Sequence, residues 1–372
     1  MQFSVNKNDF LSQLQKVAKA TTTRTPNPIL SHILIKLEDD NLTLRATDLE
    51  ITMMATVKAN GITNGIVAVP ARLLIDIIEK IDEEEITIKT IDSYETVIKT
   101  NKGEYSFNTK PGDEFPELPI IKDIWEFNIK RKVLFRLIDK TIFAVSKDEL
   151  KPALTGVLFQ IRNDEIRSVA TDGHRLICLK RKDVVSPDIT KDVIIPTKFL
   201  SLLLPYLEDE SEIKVIISEN HAKVDVDNIT IFTRLINERF PDYESVIPYD
   251  NDKILKVAQG EILSSLKRMA VFANKNTHQI SIDLKSDEII IKAFDYENRN
   301  MAQEKLFGEY SGTDLLIGFN VDYLRELIRN LDSTNVIIKF KTPLSACVIV
   351  PEVQEENEEL LSLLMPIRLT EQ

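Results

Sequence analysis

Glycine is scarce in this sequence, with 10 residues in 372, and the glycine-rich loops that bind nucleotide phosphates are missing. Neither G-x-x-x-x-G-K-S/T nor G-x-G-x-x-G occurs, and these are the spacings at which backbone N–H groups surround a phosphate. The G-x-S-x-G turn that exposes a nucleophilic serine is missing as well. The sequence therefore gives no support to a nucleotide-dependent enzyme or to a serine hydrolase.

Histidine and cysteine are also few, with four and two residues. No H-E-x-x-H or C-x-x-C motif is present, so we expect neither a metal ion nor another cofactor. Cys178 and Cys347 both lie within apolar, strand-like runs. Such positions predict buried thiols and give no sign of an oxidising compartment.

Long hydrophobic runs are absent too. The longest run, from Phe199 to Leu207, is interrupted by Pro205 and falls far short of the roughly 20 residues that a membrane-spanning helix needs. The first seven residues lack the apolar core of a signal peptide. We therefore expect a cytoplasmic protein that does not contact a membrane.

Positive charge is in deficit, because 47 lysines and arginines face 59 aspartates and glutamates, for a net charge of −12. This balance excludes a surface that is basic all over. It does not exclude nucleic acid as a partner, since what matters there is where the basic residues cluster. The hydrophobic content of 43% is typical of a globular protein with an ample core, and the length suggests two or three domains.

What the sequence does contain is a pattern of helical and strand-like segments that recurs three times. Helical spacing of apolar residues opens each copy, at residues 8–17, 130–145 and 261–272. Each copy then has strand-like runs with an acid at the turn, about 124 residues apart: Asp48, Asp172 and Asp295. A period of this length is a whole domain, whereas solenoid repeats are far shorter. We predict three similar domains, over residues 1–122, 123–249 and 250–372.

A second helix is predicted in each copy, and strand pairs follow it. The helix begins after Pro70 in the first copy, after Pro196 in the second and after Asn320 in the third. Proline suits the start of a helix, and asparagine is a natural N-cap. Two amphipathic helices and several short strands per copy predict α+β domains with the helices packed on one face of the sheet.

The second copy differs from the others at its turn. Residues 168–179 read as strand, tight turn and strand, with Asp172 and Gly173 at the tip. His174 and Arg175 follow the glycine at once, whereas the first and third copies lack a Gly-His-Arg sequence after their acid. One interpretation is an ordinary solvated hairpin, and the other is added chemistry in one copy of three.

The sequence closely resembles the bacterial DNA polymerase III beta subunit family, the sliding clamps, over essentially the whole chain. The motifs that carry the resemblance are Thr47-Asp48-Leu49-Glu50, Val69-Pro70-Ala71-Arg72, Ala170-Thr171-Asp172-Gly173-His174-Arg175-Leu176, Arg239-Phe240-Pro241-Asp242-Tyr243 and Met365-Pro366-Ile367-Arg368-Leu369. The resemblance implies the DNA clamp fold, in which two copies of three domains form a ring with helices lining the hole and antiparallel sheets outside. It also implies a processivity factor without catalytic activity of its own.

In this family the ring encircles duplex DNA and holds it through weak, nonspecific phosphate contacts. A basic lining can then coexist with an acidic exterior. The resemblance and the placement of basic residues together indicate DNA contacts at Arg24, Arg72, Lys198, Lys147 and Lys140, and further lining positions at Lys132, Arg136, Lys267 and Arg325.

The resemblance also implies a homodimer seam and a pocket for partner peptides. At the seam, Val271 and Phe272 would face Tyr105 and Phe107 of the other subunit, and the alternative is that all four are core residues of their own domains. The pocket would receive hydrophobic anchors of the replicative DNA polymerase catalytic subunit, the clamp loader and other replication and repair proteins. Its predicted residues are Leu154, Thr171, Gly173, His174, Arg175, Leu176, Pro241, Val246, Leu363, Met365, Pro366, Ile367 and Arg368.

Two other functions remain open from the sequence. A triplicated adaptor could bind peptides without DNA, and DNA binding would separate it from a clamp. An enzyme could use the acids near Asp172 together with His174, although such acids are far more often turn residues.

Overall fold

The computed structural model describes residues 1–91, 94–118, 121–122, 124–184, 189–295 and 297–369. Residues 370–372 lie outside these residues. Within the described residues, one order of elements occurs three times: a strand, a helix, four or five strands, a second helix and three or four further strands. We name the three occurrences the first, central and third sections.

The first section contains the elements β1 (Gln2–Asn6), α1 (Lys7–Val17), β2 (His32–Glu38), β3 (Asn41–Thr47), β4 (Ile51–Lys58), β5 (Asn60–Thr63), β6 (Gly65–Pro70), α2 (Ala71–Lys80), β7 (Glu85–Thr90), β8 (Glu95–Lys99), β9 (Glu104–Asn108) and β10 (Lys110–Pro111). The central section contains β11 (Trp125–Lys130), α3 (Arg131–Asp139), β12 (Gly156–Ile161), β13 (Ile166–Thr171), β14 (Arg175–Arg181), β15 (Lys191–Pro196), α4 (Thr197–Leu203), β16 (Glu212–Ile217), β17 (His221–Val226) and β18 (Ile229–Arg234).

The third section contains β19 (Lys253–Ala258), α5 (Gln259–Phe272), β20 (Gln279–Leu284), β21 (Ile289–Asp295), β22 (Asn300–Lys305), β23 (Gly308–Ser311), β24 (Leu315–Asn320), α6 (Val321–Arg329), β25 (Asn335–Phe340), β26 (Cys347–Pro351) and β27 (Glu358–Leu364). The predicted helices and the predicted α+β class are therefore confirmed.

The helices begin where the sequence predicts and pack one apolar side against the sheets. The side chain of Asn6 accepts hydrogen bonds from the N–H groups of residues 8 and 9 at the start of α1, and Asn320 caps α6 in the same way. The predicted helix 130–145 stops early, at Asp139. There the hydroxyl of Thr141 donates to the carbonyls of Leu137 (2.7 Å) and Ile138 (3.3 Å), and only a short 3₁₀ turn follows.

Within the described part of the chain, all strand pairs are antiparallel, and the strands form four sheets. A five-stranded sheet has the order β5-β1-β7-β8-β9, and a nine-stranded sheet has the order β10-β6-β2-β3-β4-β18-β17-β16-β11. A second nine-stranded sheet has the order β15-β12-β13-β14-β27-β26-β25-β19-β23, and a four-stranded sheet has the order β22-β21-β20-β24. The central section thus contributes half of its strands to each nine-stranded sheet.

The chain divides into two compact units that do not coincide with the three sections. One unit is Met1–Lys132 with Lys198–Leu235, and the other is Val133–Thr197 with Ile236–Gln372. The division passes through α3 and α4, because the two halves of the central section belong to different sheets. The domain boundaries at residues 122 and 249 stay a prediction.

Both cysteines are buried and unpaired, as their apolar surroundings in the sequence predict. Burial raises the pKa of the Cys178 thiol to about 11 and that of Cys347 to about 12, so both remain protonated and unreactive near neutral pH. Among the residues that the structure describes, no helix is both long enough and apolar enough to cross a membrane.

Candidate functional site

The hairpin between β13 and β14 is held in one conformation by its own side chains. Gly173 has a φ of +91°, a value that a side chain would strain. The carboxylate of Asp172 accepts hydrogen bonds from the N–H groups of His174 (2.9 Å) and Arg175 (3.0 Å). The hydroxyl of Thr171 donates to the carbonyl of Arg175 at 2.6 Å. The predicted turn is confirmed, and it fixes where the two following side chains point.

Arg175 is one of the predicted pocket residues, but its side chain points inward and does not present its guanidinium at the surface. Only 6% of the residue is exposed. Its guanidinium donates to the carboxylates of Asp172 (3.1 Å) and Glu326 (2.5 Å) and to the carbonyl of Phe143 (3.0 Å). The guanidinium also lies over the ring of Tyr323, 4.6 Å from its centroid. Arg175 therefore ties the hairpin to α6 and to the segment after α3.

His174 and Met365 lie side by side on the exposed face of this arrangement. The carbonyl of His174 accepts the N–H of Met365 at 2.8 Å. The imidazole of His174 stacks on Tyr323, with 6.1 Å between the centroids and 21° between the planes. Met365 keeps 42% of its surface exposed, and the N–H of Ile367 donates to the carbonyl of Gly318 on β24. Two predicted pocket residues that are 191 positions apart in the sequence are thus in direct contact.

An apolar cluster underlies the same surface and contains two predicted pocket residues, Leu176 and Leu363. The cluster consists of Leu158, Val169, Leu176, Cys178, Ile194, Tyr243, Ile247, Ala346 and Leu363, with Ala153, Ile236, Phe240 and Leu361 packed against it. The segment that follows Phe240 contributes Tyr243 and Ile247 to this buried cluster. Pro241 and Val246, in the same segment, stay exposed. Leu154 is buried, and Arg368 is exposed at the other end of the surface.

Sequence reasoning missed Tyr323, Tyr243 and Glu326 as residues of this site. Tyr243 is part of the Phe-Pro-Asp-Tyr phrase, and its hydroxyl donates to the side-chain carbonyl of Gln160 at 2.6 Å. Burial raises the pKa of both tyrosines, so their hydroxyls stay protonated hydrogen-bond donors. For Tyr323 and Glu326 the only signal is their place in the first two turns of a predicted helix.

The predicted DNA contacts fall into two groups. Arg24 and Lys147 are exposed, and Arg72 on α2 has 92% of its side chain exposed and stands 3.8 Å from Asp76. Lys198 is half-exposed and forms an ion pair with Asp48. These four cations are accessible to a phosphate.

Lys140 does not fit the prediction of a DNA contact. It is only 6% exposed, and its ammonium group donates to the carbonyl of Asn330 (3.0 Å) and to Asp332 (2.9 Å). Arg136 is engaged in the same way, by Asp332 and by the buried carboxylate of Glu358 at 2.5 Å. Both cations form ion pairs within one compact unit, so the prediction that they contact DNA is not supported.

The predicted seam residues lie at the edges of two sheets. Tyr105 and Phe107 belong to β9, the last strand of the five-stranded sheet, and β22 is the edge strand of the four-stranded sheet beside α5. Val271 is 77% exposed at the end of α5, Tyr105 and Phe272 are exposed to about 40%, and Phe107 is half-buried. The alternative that all four belong to the core is therefore wrong for three of them.

No group of three or more histidine, cysteine, aspartate or glutamate side chains within the described part of the chain could hold a metal ion.

Comparisons with known proteins agree with the geometry. Three family models match successive parts of the chain: the DNA polymerase III beta subunit N-terminal domain over residues 1–119, its central domain over 128–242 and its C-terminal domain over 244–368. The beta sliding clamp of Proteus mirabilis is 30% identical over 377 residues, covering 99% of this chain and 100% of that protein. The beta sliding clamp of Pseudomonas aeruginosa is 29% identical over 372 residues with the same coverage.

Solved structures of this family have the same fold. The sliding clamp of Bacillus subtilis matches with a TM-score of 0.93 and 27% identity, over 100% of both chains. The Pseudomonas aeruginosa clamp bound to griselimycin matches with a TM-score of 0.92 and 28% identity, over 99% of this chain and 100% of that chain. The family consists of processivity factors that lack catalytic activity, so the alternative that Asp172 and His174 belong to an enzyme is wrong. The chain belongs to the DNA polymerase III beta subunit family, the sliding clamps.

Proposed function

We propose that two copies of this chain close head to tail into a ring that encircles duplex DNA in the cytoplasm, and that the ring tethers the replicative polymerase and other partners. The observation that carries this proposal is the strand order of the four sheets. Each nine-stranded sheet joins five strands of one section to four strands of another. The two remaining sheets have five strands and four strands, and each ends on an edge strand at the predicted seam.

The strands that join sections inside the chain indicate which strands would join two chains. β4 and β14 are the third strands after the first helix of their sections, and they pair with β18 and β27, the last strands of the next sections. In the same scheme β22 is the third strand of the third section, and β9 is the second-last strand of the first, just before the short β10. We therefore propose that β22 pairs antiparallel with β9 of the partner subunit, which makes a third nine-stranded sheet.

The internal pairs also define the register. Thr52, Leu176 and Met301 are equivalent, because each pairs across its hairpin with the residue before the acid of the turn. Thr52 pairs with Phe232, and Leu176 pairs with Leu363. The residue equivalent to Phe232 and Leu363 is found by following a row of cross-strand partners from strand to strand. In each section this row begins five residues before the first helix, and in the central and third sections it ends at Phe232 and Leu363. These rows are Gln2–Lys89–Val97–Ser106, Glu126–Ile216–Lys223–Phe232 and Ile254–Lys339–Val348–Leu363. Met301 would therefore lie opposite Ser106 of the partner subunit.

This register places the apolar seam residues on one face. It sets Ala302 opposite Tyr105 of the partner subunit, and within the chain Ala302 pairs with the buried Ala293. Tyr105 pairs with the buried Ile98 of its own sheet, so both members of the proposed pair face the helical side. A slip by one residue would turn Tyr105 to the outward face, away from α5.

A disulfide cross-link tests the seam and its register. The N–H of Arg234 donates to the carbonyl of Glu50, and the N–H of Met365 donates to that of His174. Hydrogen-bonded pairs alternate along an antiparallel ladder, so the pairs two positions further on, Thr52–Phe232 and Leu176–Leu363, are hydrogen-bonded as well. By equivalence, Met301 and Ser106 of the partner subunit would also form a hydrogen-bonded pair. Ala302 and Tyr105 of the partner subunit would then form a non-hydrogen-bonded pair with Cα atoms about 4.5 Å apart, which suits a disulfide. The variant Tyr105→Cys with Ala302→Cys should give covalent dimers on oxidation. The matched control, Ser106→Cys with Ala302→Cys, places the thiols on opposite faces and should not.

The same cross-linked dimer tests the ring. Loaded on circular DNA and then oxidised, it should stay with the DNA in denaturant, and cutting the circle should release it. Equal loss from circular and linear DNA would contradict the ring and leave the adaptor alternative. Cross-linking of the control pair alone would contradict the register.

The surface around His174 and Met365 is the proposed docking site for partner peptides. An exposed methionine and the exposed Val246 adjoin a buried apolar cluster, and this combination suits hydrophobic anchors of several partners. The replicative polymerase catalytic subunit, the clamp loader and other replication and repair proteins would compete for it, because each would place its hydrophobic anchors on this same surface.

A further inference from the structure

The outward face of the sheet β22-β21-β20-β24 carries a cavity that no part of the proposed function uses. Its volume is about 810 Å³, and all the residues that line it belong to the third section and to the end of the chain. The lining includes Lys292, Phe294, Met301, Gln303, Leu316 and Leu369. The opposite face of the same sheet is covered by α5.

This cavity is the counterpart, in the third section, of the surface proposed to dock partner peptides. Met301 and Phe294 pair across the hairpin before Asp295, as Leu176 and Thr171 pair before Asp172. By the same pairing, Lys292 is equivalent to Val169, and Gln303 is equivalent to Cys178. Val169 and Cys178 belong to the apolar cluster under the first surface. The same strand positions thus lie under the first surface, where they are buried, and in the lining of the cavity, within one compact unit.

The chemistry of the two surfaces differs in one decisive respect. The cavity keeps apolar walls at Phe294, Met301 and Leu316, but it adds an ammonium group at Lys292. Within the described residues, no carboxylate lies at ion-pairing distance from this ammonium group. Glu297 lines the same cavity at the hairpin and disfavours a ligand with several acids. A single negative charge between hydrophobic side chains complements this lining.

The end of the chain already seats a leucine in this cavity. The N–H of Ile367 donates to the carbonyl of Gly318 at 2.8 Å, which holds the segment beside β24. Leu369 then reaches over Gly318, where a side chain would approach the Leu369 methyl group to 2.7 Å. Backbone running past this sheet can therefore place a leucine side chain in the cavity, and Met301 (66% exposed) and Leu316 (49% exposed) offer further apolar surface there.

We propose that the cavity is a second docking site, which binds an extended peptide segment of a partner protein with one acidic residue between hydrophobic residues. The acid would pair with Lys292, and the hydrophobic side chains would contact Phe294, Met301 and Leu316. The site lies within one chain, so it does not depend on ring closure.

A thermodynamic cycle between ligand charge and Lys292 tests the proposal. The probes are two capped, fluorescein-labelled pentapeptides, Gly-Leu-Asp-Leu-Gly and its uncharged counterpart Gly-Leu-Asn-Leu-Gly, measured by fluorescence anisotropy on the full chain. The parent should bind the acidic peptide about tenfold more tightly than the amide peptide. Lys292→Met should abolish this preference. Lys305→Met, on the same face of β22 and outside the cavity lining, should keep it.

Four results would overturn the proposal. Equal binding of the two peptides by the parent removes the charge preference. If the charge preference persists in Lys292→Met, it belongs to another cation. If the preference is lost in Met365→Ala, the peptide binds at the first docking surface. A drop in dimer content of Lys292→Met without an effect on peptide binding would assign the cavity to the subunit contact instead. The cross-link between Tyr105→Cys and Ala302→Cys reports on the ring separately, so the two proposals can fail independently.

Discussion

The guanidinium of Arg175 lies over the ring of Tyr323, 4.6 Å from its centroid, while its N–H groups donate to Asp172, Glu326 and the carbonyl of Phe143. The arginine that sets the central hairpin apart from the other two is therefore a structural residue. We expect it to influence peptide binding at the proposed docking site only through the position of His174 and Leu176, its neighbours in the chain.

We expect Arg175→Ala to destabilise the protein by about 2 kcal/mol or more, because two carboxylates and a carbonyl lose a charged donor. Arg175→Lys should recover only part of this loss, since an ammonium group can neither form the fork nor stack on Tyr323. Denaturant unfolding of both variants measures the effect. The exposed Arg368→Ala serves as the control and should unfold like the parent. Parental stability of Arg175→Ala would show that the buried contacts contribute nothing.

Met365 is 42% exposed and is hydrogen-bonded to the hairpin at His174, so we expect it to anchor a bound peptide. We expect Met365→Ala to weaken the binding of a hydrophobic pentapeptide by about 1–3 kcal/mol, the range for an interface anchor. Calorimetric titration measures the change. Ile62→Ala removes an exposed apolar residue of β5 in the first section and should leave this affinity unchanged. Equal losses in both variants would contradict the assignment of the docking surface.

Arg24 lies in an exposed polar loop, and we expect Arg24→Ala to weaken DNA binding without sequence preference. Loss of one phosphate contact should make the slope of log K against log salt shallower by about 0.9. A salt series on duplex DNA measures this slope. Lys140→Met provides the contrast: it should lower stability, because Asp332 loses a partner, and leave the slope unchanged. An unchanged slope in Arg24→Ala would remove this residue from the DNA contacts.

His32 is buried, and burial lowers the pKa of its imidazole from the ordinary value of 6.5. The unfolded chain therefore binds a proton more readily than the folded one, and stability falls as the pH drops below 6.5 toward the folded pKa. Above pH 6.5 both states are neutral, and this residue contributes no pH dependence. We expect His32→Gln to flatten the decline in unfolding free energy between pH 6.5 and 5. Denaturant unfolding over this range, with the half-buried His221→Gln for comparison, measures the difference.

The features that the sequence predicts well are the ones that rest on local patterns. Apolar spacing locates α1 and α5 to within two residues, and Asp172 with Gly173 predicts the tight turn. The repeat is visible because equivalent acids recur at a constant distance. Each of these signals lies within one segment of the chain, so it survives without knowledge of the tertiary contacts.

The features that the sequence misses depend on partners far away in the chain. Glu326, which turns Arg175 inward, lies 151 residues from it, and Asp332, which occupies Lys140, lies 192 residues away. A lysine on a predicted helix looks the same whether phosphate or a buried acid is its partner. Long side chains can reach several neighbours, so only the packed structure decides between them.

Lys198 provides the sharpest test of the DNA contacts, because its ammonium group is held by Asp48 across two sections of the chain. In Asp48→Asn the side-chain oxygen can still accept the N–H groups of Glu50 (3.0 Å) and Ile51 (2.7 Å), so the turn is preserved while the charge is lost. The released cation should strengthen DNA binding and make its salt dependence steeper. Asp48→Asn combined with Lys198→Met should lose this gain, which separates release of the lysine from a general change in net charge. If Asp48→Asn binds DNA with the parental affinity and slope, Lys198 does not face the DNA.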